Sequence, residues 1–280
     1  MTYREALKQA TNQLKNARVP DAEYDAKQLL FHVTGMTVGD WLMRGNERIT
    51  EREAEAYAEL VGRRAGREPL QQIIGTQIFM GLPFHVTTDT LCPRSDTEVL
   101  VEKAIPLCKG ADVLDMCTGT GCIAISLSKL SAPKSVTGVD ISKEALTVAK
   151  DNATSNDATV DFILSNMFQA VTGTYDVIVS NPPYIPTEQM EGLMPEVKDY
   201  EPRIALFGGE DGLDFYRILT AESRRFLRAP ASGKEGGYLI VEIGFDQGIT
   251  VPDLFRAAGF ADVCVIKDYA GNDRVVLGHL

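Results

Sequence analysis

Ala111-Asp112-Val113-Leu114-Asp115-Met116-Cys117-Thr118-Gly119-Thr120-Gly121 decides the fold of this 280-residue chain. Ala111 to Met116 is an apolar-rich run of strand length, and the glycines behind it turn the chain into a helix from Gly121 to Leu130. Glycines here let the backbone approach a ligand closely, at the carboxyl edge where open α/β sheets bind cofactors. The alternation continues downstream. Ser135 to Asp140 reads as a strand, Ser142 to Asn152 as a helix, and Val160 to Leu164 and Val177 to Val179 as strands. Asp211 is placed to cap a helix through Phe215, Tyr216 and Leu219, before a strand from Tyr238 to Ile243. A helix around Val251 to Ala258 leads to a strand from Val263 to Ile266. Strands alternating with helices predict a mostly parallel sheet covered on both faces. The turn from Asp268 to Asp273 is too short for a crossover helix, so Arg274 to Leu277 is expected as an antiparallel seventh strand.

Upstream the pattern differs. Residues Thr2 to about Arg67 read as four helices packed as a small bundle. Thr2-x-x-Glu5 and Thr50-x-x-Glu53 are capping boxes, in which hydroxyl and carboxylate satisfy the free N–H groups of a helix start. Leu7, Ala10, Leu14 and Ala17 share one helical face. Trp41 and Tyr57 read as core. Arg63, Arg64 and Arg67 complement a helix C-terminus, with partner binding as the other reading. Ile73-Ile74-Gly75 and Phe79 to Val86 suggest a hairpin joining two domains. Ser95 and Glu98 suggest a third capping box, which leaves Arg94 to face a site. The expected organisation is a helical domain over 1–70, a hairpin linker over 71–90 and an α/β domain over 91–280.

Composition narrows the function. A hydrophobic fraction of 44% with 24% charged residues is that of a soluble globular protein. There is no run of about 18 apolar residues, and Met1-Thr2-Tyr3-Arg4-Glu5 lacks an apolar signal core. Net charge is -11, which counts against nucleic acid as the main partner and suits a basic protein. Five scattered cysteines without a C-x-x-C pair fit a reducing cytoplasm. Three histidines form no metal cluster or triad, so no metal is expected.

Two further stretches carry chemistry. Asp140 ends the second strand of the α/β domain, where an acid accepts hydrogen bonds from ribose hydroxyls. A dinucleotide pyrophosphate would be repelled by Asp115, whereas an amino-acid ammonium would be welcomed. Adenosine, ribose and an amino-acid tail together describe S-adenosylmethionine. Asn181-Pro182-Pro183-Tyr184 follows the fourth strand of that domain. Two prolines stop the ladder and leave a stiff turn with one carboxamide and bare carbonyls, suited to accept two hydrogen bonds from an NH2 group. An ordinary Pro-Pro turn would account for the same four residues.

Combined, these stretches resemble a class I methyltransferase with an Asn-Pro-Pro-Tyr motif, specifically the protein-(glutamine-N5) methyltransferases of peptide chain release factors, the HemK/PrmC family. The resemblance spans nearly the whole chain. It includes Glu68-Pro69-Leu70-Gln71, Pro93-Arg94 with Asp96-Thr97-Glu98, Tyr200-Glu201-Pro202-Arg203 with Ala205-Leu206, Gly208-Gly209 with Asp211-Gly212-Leu213, and Gly271 with Asp273-Arg274. It implies a Rossmann-like seven-stranded sheet with an antiparallel last strand, behind a helical bundle that helps recognise the substrate protein. It implies S-adenosylmethionine as donor, S-adenosylhomocysteine as product, and the glutamine of a Gly-Gly-Gln loop as acceptor. Asp115, Cys117, Thr118, Gly119, Thr120 and Gly121 would surround the donor's amino-acid portion. Asp140 would hold the ribose, and Asn166 and Met167 would lie beside the adenine. Asn181, which would also border the donor, and the Pro182 carbonyl would accept from the substrate carboxamide, with Pro183 beside them and Tyr184 packed on its plane. Cys117 stands where the family usually has glycine, and Asn166 where it has an acid. Glu242 is a base by position, or equally a structural partner. The protein is expected to act as a cytoplasmic monomer. An N6-adenine DNA methyltransferase shares the tetrapeptide but is opposed by the acidic chain. A non-catalytic adenosyl-ligand adaptor is opposed by intact Asn181 and Asp140, and a nicotinamide dehydrogenase by Asp115.

Overall fold

The computed structural model describes residues 1–231 and 235–280. In chain order the elements are α1 (Tyr3–Asn16), α2 (Ala22–Thr34), α3 (Val38–Arg44), α4 (Glu51–Ala65) and α5 (Leu70–Ile74). Next come the hairpin strands β1 (Thr76–Phe79) and β2 (Leu82–His85), then α6 (Ser95–Cys108), β3 (Asp112–Met116), α7 (Cys122–Leu130), β4 (Ser135–Asp140), α8 (Lys143–Ser155), β5 (Asp161–Leu164) and β6 (Val177–Ser180). The chain ends with α9 (Thr187–Met190), α10 (Pro195–Lys198), α11 (Asp214–Glu222), β7 (Tyr238–Glu242), α12 (Thr250–Ala257), β8 (Ala261–Lys267) and β9 (Asp273–His279). Two compact units form. One is Met1–Thr76 with Met194–Tyr200, and the other is Gln77–Leu193 with Glu201–Leu280.

The helical unit follows its sequence closely. Complete capping boxes start α1, α3 and α4, at Thr2/Glu5, Thr37/Asp40 and Thr50/Glu53. The inward faces bury Leu14, Ala26, Leu29, Leu30, Trp41, Tyr57 and Val61 in one core. The Tyr57 hydroxyl is satisfied there by donating to the Ala26 carbonyl at 2.8 Å. Ile73 and Ile74 belong to α5 and not to a strand. Pro69 at the N-cap and Gly75 in the left-handed region bracket a single helical turn that outweighs the β-branched side chains. The arginine cluster is consumed internally. Arg64 pairs with Asp25 and Glu196, Arg67 with Glu196, and Arg63 with Glu68.

The second unit is a seven-stranded sheet in the order β5-β4-β3-β6-β7-β9-β8. β5 through β7 are parallel, while β9 runs antiparallel to both neighbours. Alternate residues feed two cores. Val113, Val177, Val179 and Ile240 face one side, and Leu114, Met116, Ile178, Leu239 and Val241 the other. Burial on both faces explains why these strands read as continuous apolar runs. The chain leaves β3 toward β4 and β5, then returns to β6 on the other side. This reversal puts a crevice at the carboxyl ends of β3 and β6, the place where such sheets bind ligands. Met116 lies beside Ser180 in the register, and the Ser180 hydroxyl donates to the Met116 carbonyl at 2.6 Å.

Two helix starts differ from expectation. Ser95 is already helical, Arg94 is the N-cap, and no side chain caps the end. Glu98 is engaged elsewhere, because the Met80 N–H at the β1–β2 turn donates to its Oε1 at 2.6 Å. α11 begins at Asp214, with Leu213 as N-cap. Asp211 instead accepts from the Leu213 N–H at 3.2 Å and pairs with Arg217.

Candidate active site

A cavity opens at the carboxyl edge of β3, β4 and β6. Its lining includes Cys117, Thr118, Gly119, Thr120, Asp140, Asn166, Met167, Asn181 and Pro183. Nine residues singled out in the sequence are thus brought to one wall system. Asp115, Gly121, Pro182 and Tyr184 are not among the lining residues. Asp115 and Gly121 are buried at the glycine turn, and Pro182 and Tyr184 belong to the tetrapeptide beside lining residues Asn181 and Pro183.

Asp115 is fully buried under the glycine turn. Its Oδ2 accepts from the Thr118 hydroxyl at 2.6 Å and the Ala124 N–H at 3.1 Å, which ties the strand end to the first turn of α7. Its Oδ1 has no hydrogen-bond partner among the described residues. Burial pushes the carboxyl up to about 7, and nearby Asp140 adds to the shift. Gly121 has φ +78 and packs against Ile125 and Ala149, where a Cβ would sit at 3.0 and 3.2 Å. Gly119 has φ +54 and nothing within 4 Å of its Cβ position, so its backbone faces open space. Cys117 adopts φ +63, a left-handed conformation that glycine takes at no steric cost. Burial pushes its thiol far up, so it is no ready nucleophile.

Asp140 lines the cavity from the end of β4. It accepts from the Gly119 N–H at 2.8 Å and the Ser142 N–H at 2.9 Å, so both oxygens are fixed in place. Each retains lone-pair capacity for a diol. Burial raises its pKa, while the amides of Ser142, Gly119 and Ile141 oppose the rise. Met167 also has positive φ, +48. The exposed Asn166 makes no side-chain hydrogen bond among the described residues.

The Asn181-Pro182-Pro183-Tyr184 turn is wedged from several sides. The Asn181 Nδ2 donates to Thr97 Oγ1 at 3.1 Å. Among the described residues, nothing donates a backbone hydrogen bond to the Asn181 or Pro182 carbonyls. Pro182 is buried. The Tyr184 hydroxyl turns inward to Glu242 Oε1 at 3.5 Å, and its carbonyl accepts from Gln247 Nε2 at 3.3 Å. Gly208 sits so close that a Cβ would lie 2.7 Å from Tyr184 Cα and 2.8 Å from the Pro183 carbonyl oxygen. A Cβ on Gly212 would lie 2.4 Å from the Tyr184 carbonyl oxygen. Gly208 and Gly212 therefore form a backbone mould for the end of the tetrapeptide.

The sequence reading assigned several lining residues no role at the site. Thr97 lines the cavity beside Asn181, and Pro202, Ile204 and Ala205 form another wall. Arg94 lines the cavity as expected, and its Nη2 donates to both oxygens of buried Glu201 at 2.8 and 2.7 Å. The motif residues Thr97 and Pro202 could have been flagged by their place in the family pattern. Ile204 carries no such signal. Glu242 is buried on β7, outside the lining, with Oε2 unpartnered. Burial pushes it up to about 7.

An edge of this kind, with a glycine turn, an acid at the next strand end and a seventh antiparallel strand, defines a class I methyltransferase. The fold agrees with a solved methyltransferase from Pyrococcus furiosus, at TM-score 0.54 and 21% identity over 72% of this chain and 90% of that one. Residues 5–75 match the family model of the PrmC N-terminal domain, and residues 95–194 that of the methyltransferase small domain. A release factor glutamine methyltransferase of Agrobacterium fabrum is 42% identical across 95% of this chain and 93% of its own. One of Geobacter sulfurreducens is 41% identical across 100% of this chain and 97% of its own. This chain belongs to the release factor glutamine methyltransferase family.

Proposed function

We propose that this protein methylates the side-chain amide nitrogen of the glutamine in a release factor's Gly-Gly-Gln loop, with S-adenosylmethionine as donor. The observation that carries the reading is the Asn181 carboxamide. Its NH2 is engaged by Thr97, which leaves Oδ1 to accept a substrate N–H.

The residues at the sheet edge suit the donor. Asp115 Oδ1 is left as an unpartnered acceptor, Asp140 lines the cavity with its carboxyl, and the free space at Gly119 admits a ligand against the backbone. Asp115, Thr118 and Gly119 would hold the amino-acid end, Asp140 the ribose, and Asn166 with Met167 the adenine. The bound donor supplies an electrophilic methyl on a sulfonium.

The protein's contribution is to the acceptor. An amide nitrogen gives its lone pair to the carbonyl and is a poor nucleophile. Asn181 Oδ1 and the Pro182 carbonyl, both free to accept, orient the substrate NH2 so that its lone pair faces the methyl. The same acceptors stabilise positive charge developing on that nitrogen. Pro183 closes the cavity beside them. The helical unit is read as a recognition element for the release factor, and an acidic chain suits a basic partner. All five cysteines are free thiols, in keeping with a cytoplasmic setting.

Transfer of labelled methyl to a purified release factor, its Gln-to-Ala loop variant and DNA tests the proposal. Label should appear on the first alone. Label on DNA without label on release factor would overturn it.

A further inference from the structure

We propose that Thr97 and Glu242 decide which end of the Asn181 carboxamide faces the substrate, and so act as positioning residues for methyl transfer. The inference rests on the amide-nitrogen reading above. A carboxamide fits its site in two orientations of nearly equal shape, and only its hydrogen-bond partners choose between them. With oxygen toward the cavity, Asn181 accepts from the substrate. With nitrogen toward the cavity, two NH2 groups confront each other and no productive bond forms.

The choice runs through three side chains. Asn181 Nδ2 donates to Thr97 Oγ1 at 3.1 Å. A hydroxyl receives that bond well only while its own proton points elsewhere. Glu242 offers the destination. Of the groups that favour its ionised form, the Thr97 hydroxyl is the strongest, ahead of Arg274 and Asn181. Among the described residues Oε2 of Glu242 is buried and unpartnered, and so free to accept, while Oε1 takes only the long bond from Tyr184. An ionised carboxylate is an acceptor alone. It draws the Thr97 proton and leaves Thr97 as acceptor for Asn181. A protonated Glu242 can donate to Thr97 instead, which turns the hydroxyl proton toward Asn181 and favours the flipped carboxamide.

The surroundings of Glu242 come from five elements. Arg274 on β9 favours ionisation and is itself held by Asp268 at 3.0 Å, while Asp96 on α6 opposes it. Tyr184 approaches from the tetrapeptide, and the Tyr216 hydroxyl on α11 donates to the Glu242 backbone carbonyl at 2.8 Å. Cys122 on α7 feels the carboxylate's charge. Burial pushes the carboxyl up to about 7, inside the pH range over which transfer can be followed.

Single-turnover methyl transfer to a release factor, followed from about pH 5.5 to 9, tests the device in wild type, Thr97→Ser, Thr97→Val and Glu242→Gln. Donor affinity and thermal midpoint are measured alongside. Thr97→Val should lose roughly 10²-fold in transfer rate with donor affinity retained, and Thr97→Ser should recover most of that loss. The wild-type rate should rise with pH through about 7, and Glu242→Gln should abolish that limb. Thr97→Val within roughly threefold of wild type would overturn the proposal. So would Thr97→Ser as impaired as Thr97→Val, or an unchanged limb in Glu242→Gln. If Thr97→Val does not fold, the two pH limbs decide. Wild type that binds donor but methylates no release factor overturns the proposed function itself, an outcome distinct from an active wild type with an active Thr97→Val.

Discussion

Arg67 holds Glu196 by two parallel hydrogen bonds, Nε to Oε1 at 2.7 Å and Nη2 to Oε2 at 2.6 Å. Arg64 adds a third to the same carboxylate at 2.9 Å, and its Nε donates to Asp25 at 2.7 Å. Both Arg64 and Asp25 have side chains under 9% exposed. The Arg64–Asp25 end of the network is therefore desolvated, while Glu196 and Arg67 are partly buried. Burial opposes the charge on Glu196, but Arg67 and Arg64 prevail and hold its carboxyl below the usual range.

Glu196→Ala leaves two guanidinium groups short of their partner. Breaking a buried pair from one side costs about 3–5 kcal/mol, so the helical unit should lose stability on that scale. Trp41, the one tryptophan, is buried in that unit and reports its unfolding by fluorescence. A denaturant midpoint indistinguishable from wild type would show the pairing to be energetically idle.

Stability should also fall as pH rises from about 4 to about 7. Burial pushes Asp115 and Glu242 up to about 7, whereas in the unfolded chain such groups titrate near 4. Between these values the folded state holds protons that the unfolded state has released. Their contribution is complete below about pH 4 and gone once pH passes the folded values. His279, raised mainly by the Leu280 carbonyl, acts in the same direction. Glu196, being lowered, matters only at more acid pH. Denaturant titrations of the ligand-free protein check this, and Glu242→Gln should flatten the slope. A midpoint that climbs across the window would contradict it.

How much of this was legible beforehand depended on the range of each interaction. The strands of the α/β unit and the turn from Asp115 to Gly121 declare themselves by local periodicity. Thr2 and Thr50 likewise find their capping partners three residues away. Ser95 and Glu98 have the same spacing, yet Glu98 is taken by the Met80 N–H, 18 positions upstream. Ile73-Ile74 looks like strand until Pro69 and Gly75 are seen to fix one helical turn. Asn181 was visible as a turn residue, but its orienting partner Thr97 is 84 positions away. The cavity walls from Pro202 to Ala205 depend on how a loop folds back, which no periodicity encodes.

Cys117 offers a test of local backbone strain. At φ +63 a residue with a side chain carries about 1–2 kcal/mol that glycine avoids. Glycine in turn costs about 0.5–1 kcal/mol in chain entropy. Cys117→Gly should therefore match wild type or exceed it by up to about 1.5 kcal/mol. Cys117→Val puts a β-branched side chain at the same angle and should be clearly destabilised. Thermal midpoints of the two variants decide. The strain account fails if the glycine variant is the less stable.

Gly208 tests whether the tetrapeptide works as a positioned turn. A Cβ there would lie 2.7 Å from Tyr184 Cα and 2.8 Å from the Pro183 carbonyl oxygen, and backbone cannot yield as a side-chain tip does. The Ile185 N–H is already bonded to the Leu206 carbonyl at 3.0 Å, and the Gly208 N–H to the Ile185 carbonyl at 2.9 Å. The added methyl must therefore push the tetrapeptide off its mould. Misplacing reacting groups by about 1 Å can cost 10²-fold in rate. Gly208→Ala should lose methyl transfer on that scale. Donor affinity should persist, because Asp115, Gly119 and Asp140 lie on β3, β4 and the turn between β3 and α7, away from the clash. Parallel titration of donor binding and single-turnover transfer separates the two effects. Equal losses in both would mean that the clash spreads through the sheet edge, and a full rate would mean that Pro183 and Tyr184 need no such mould.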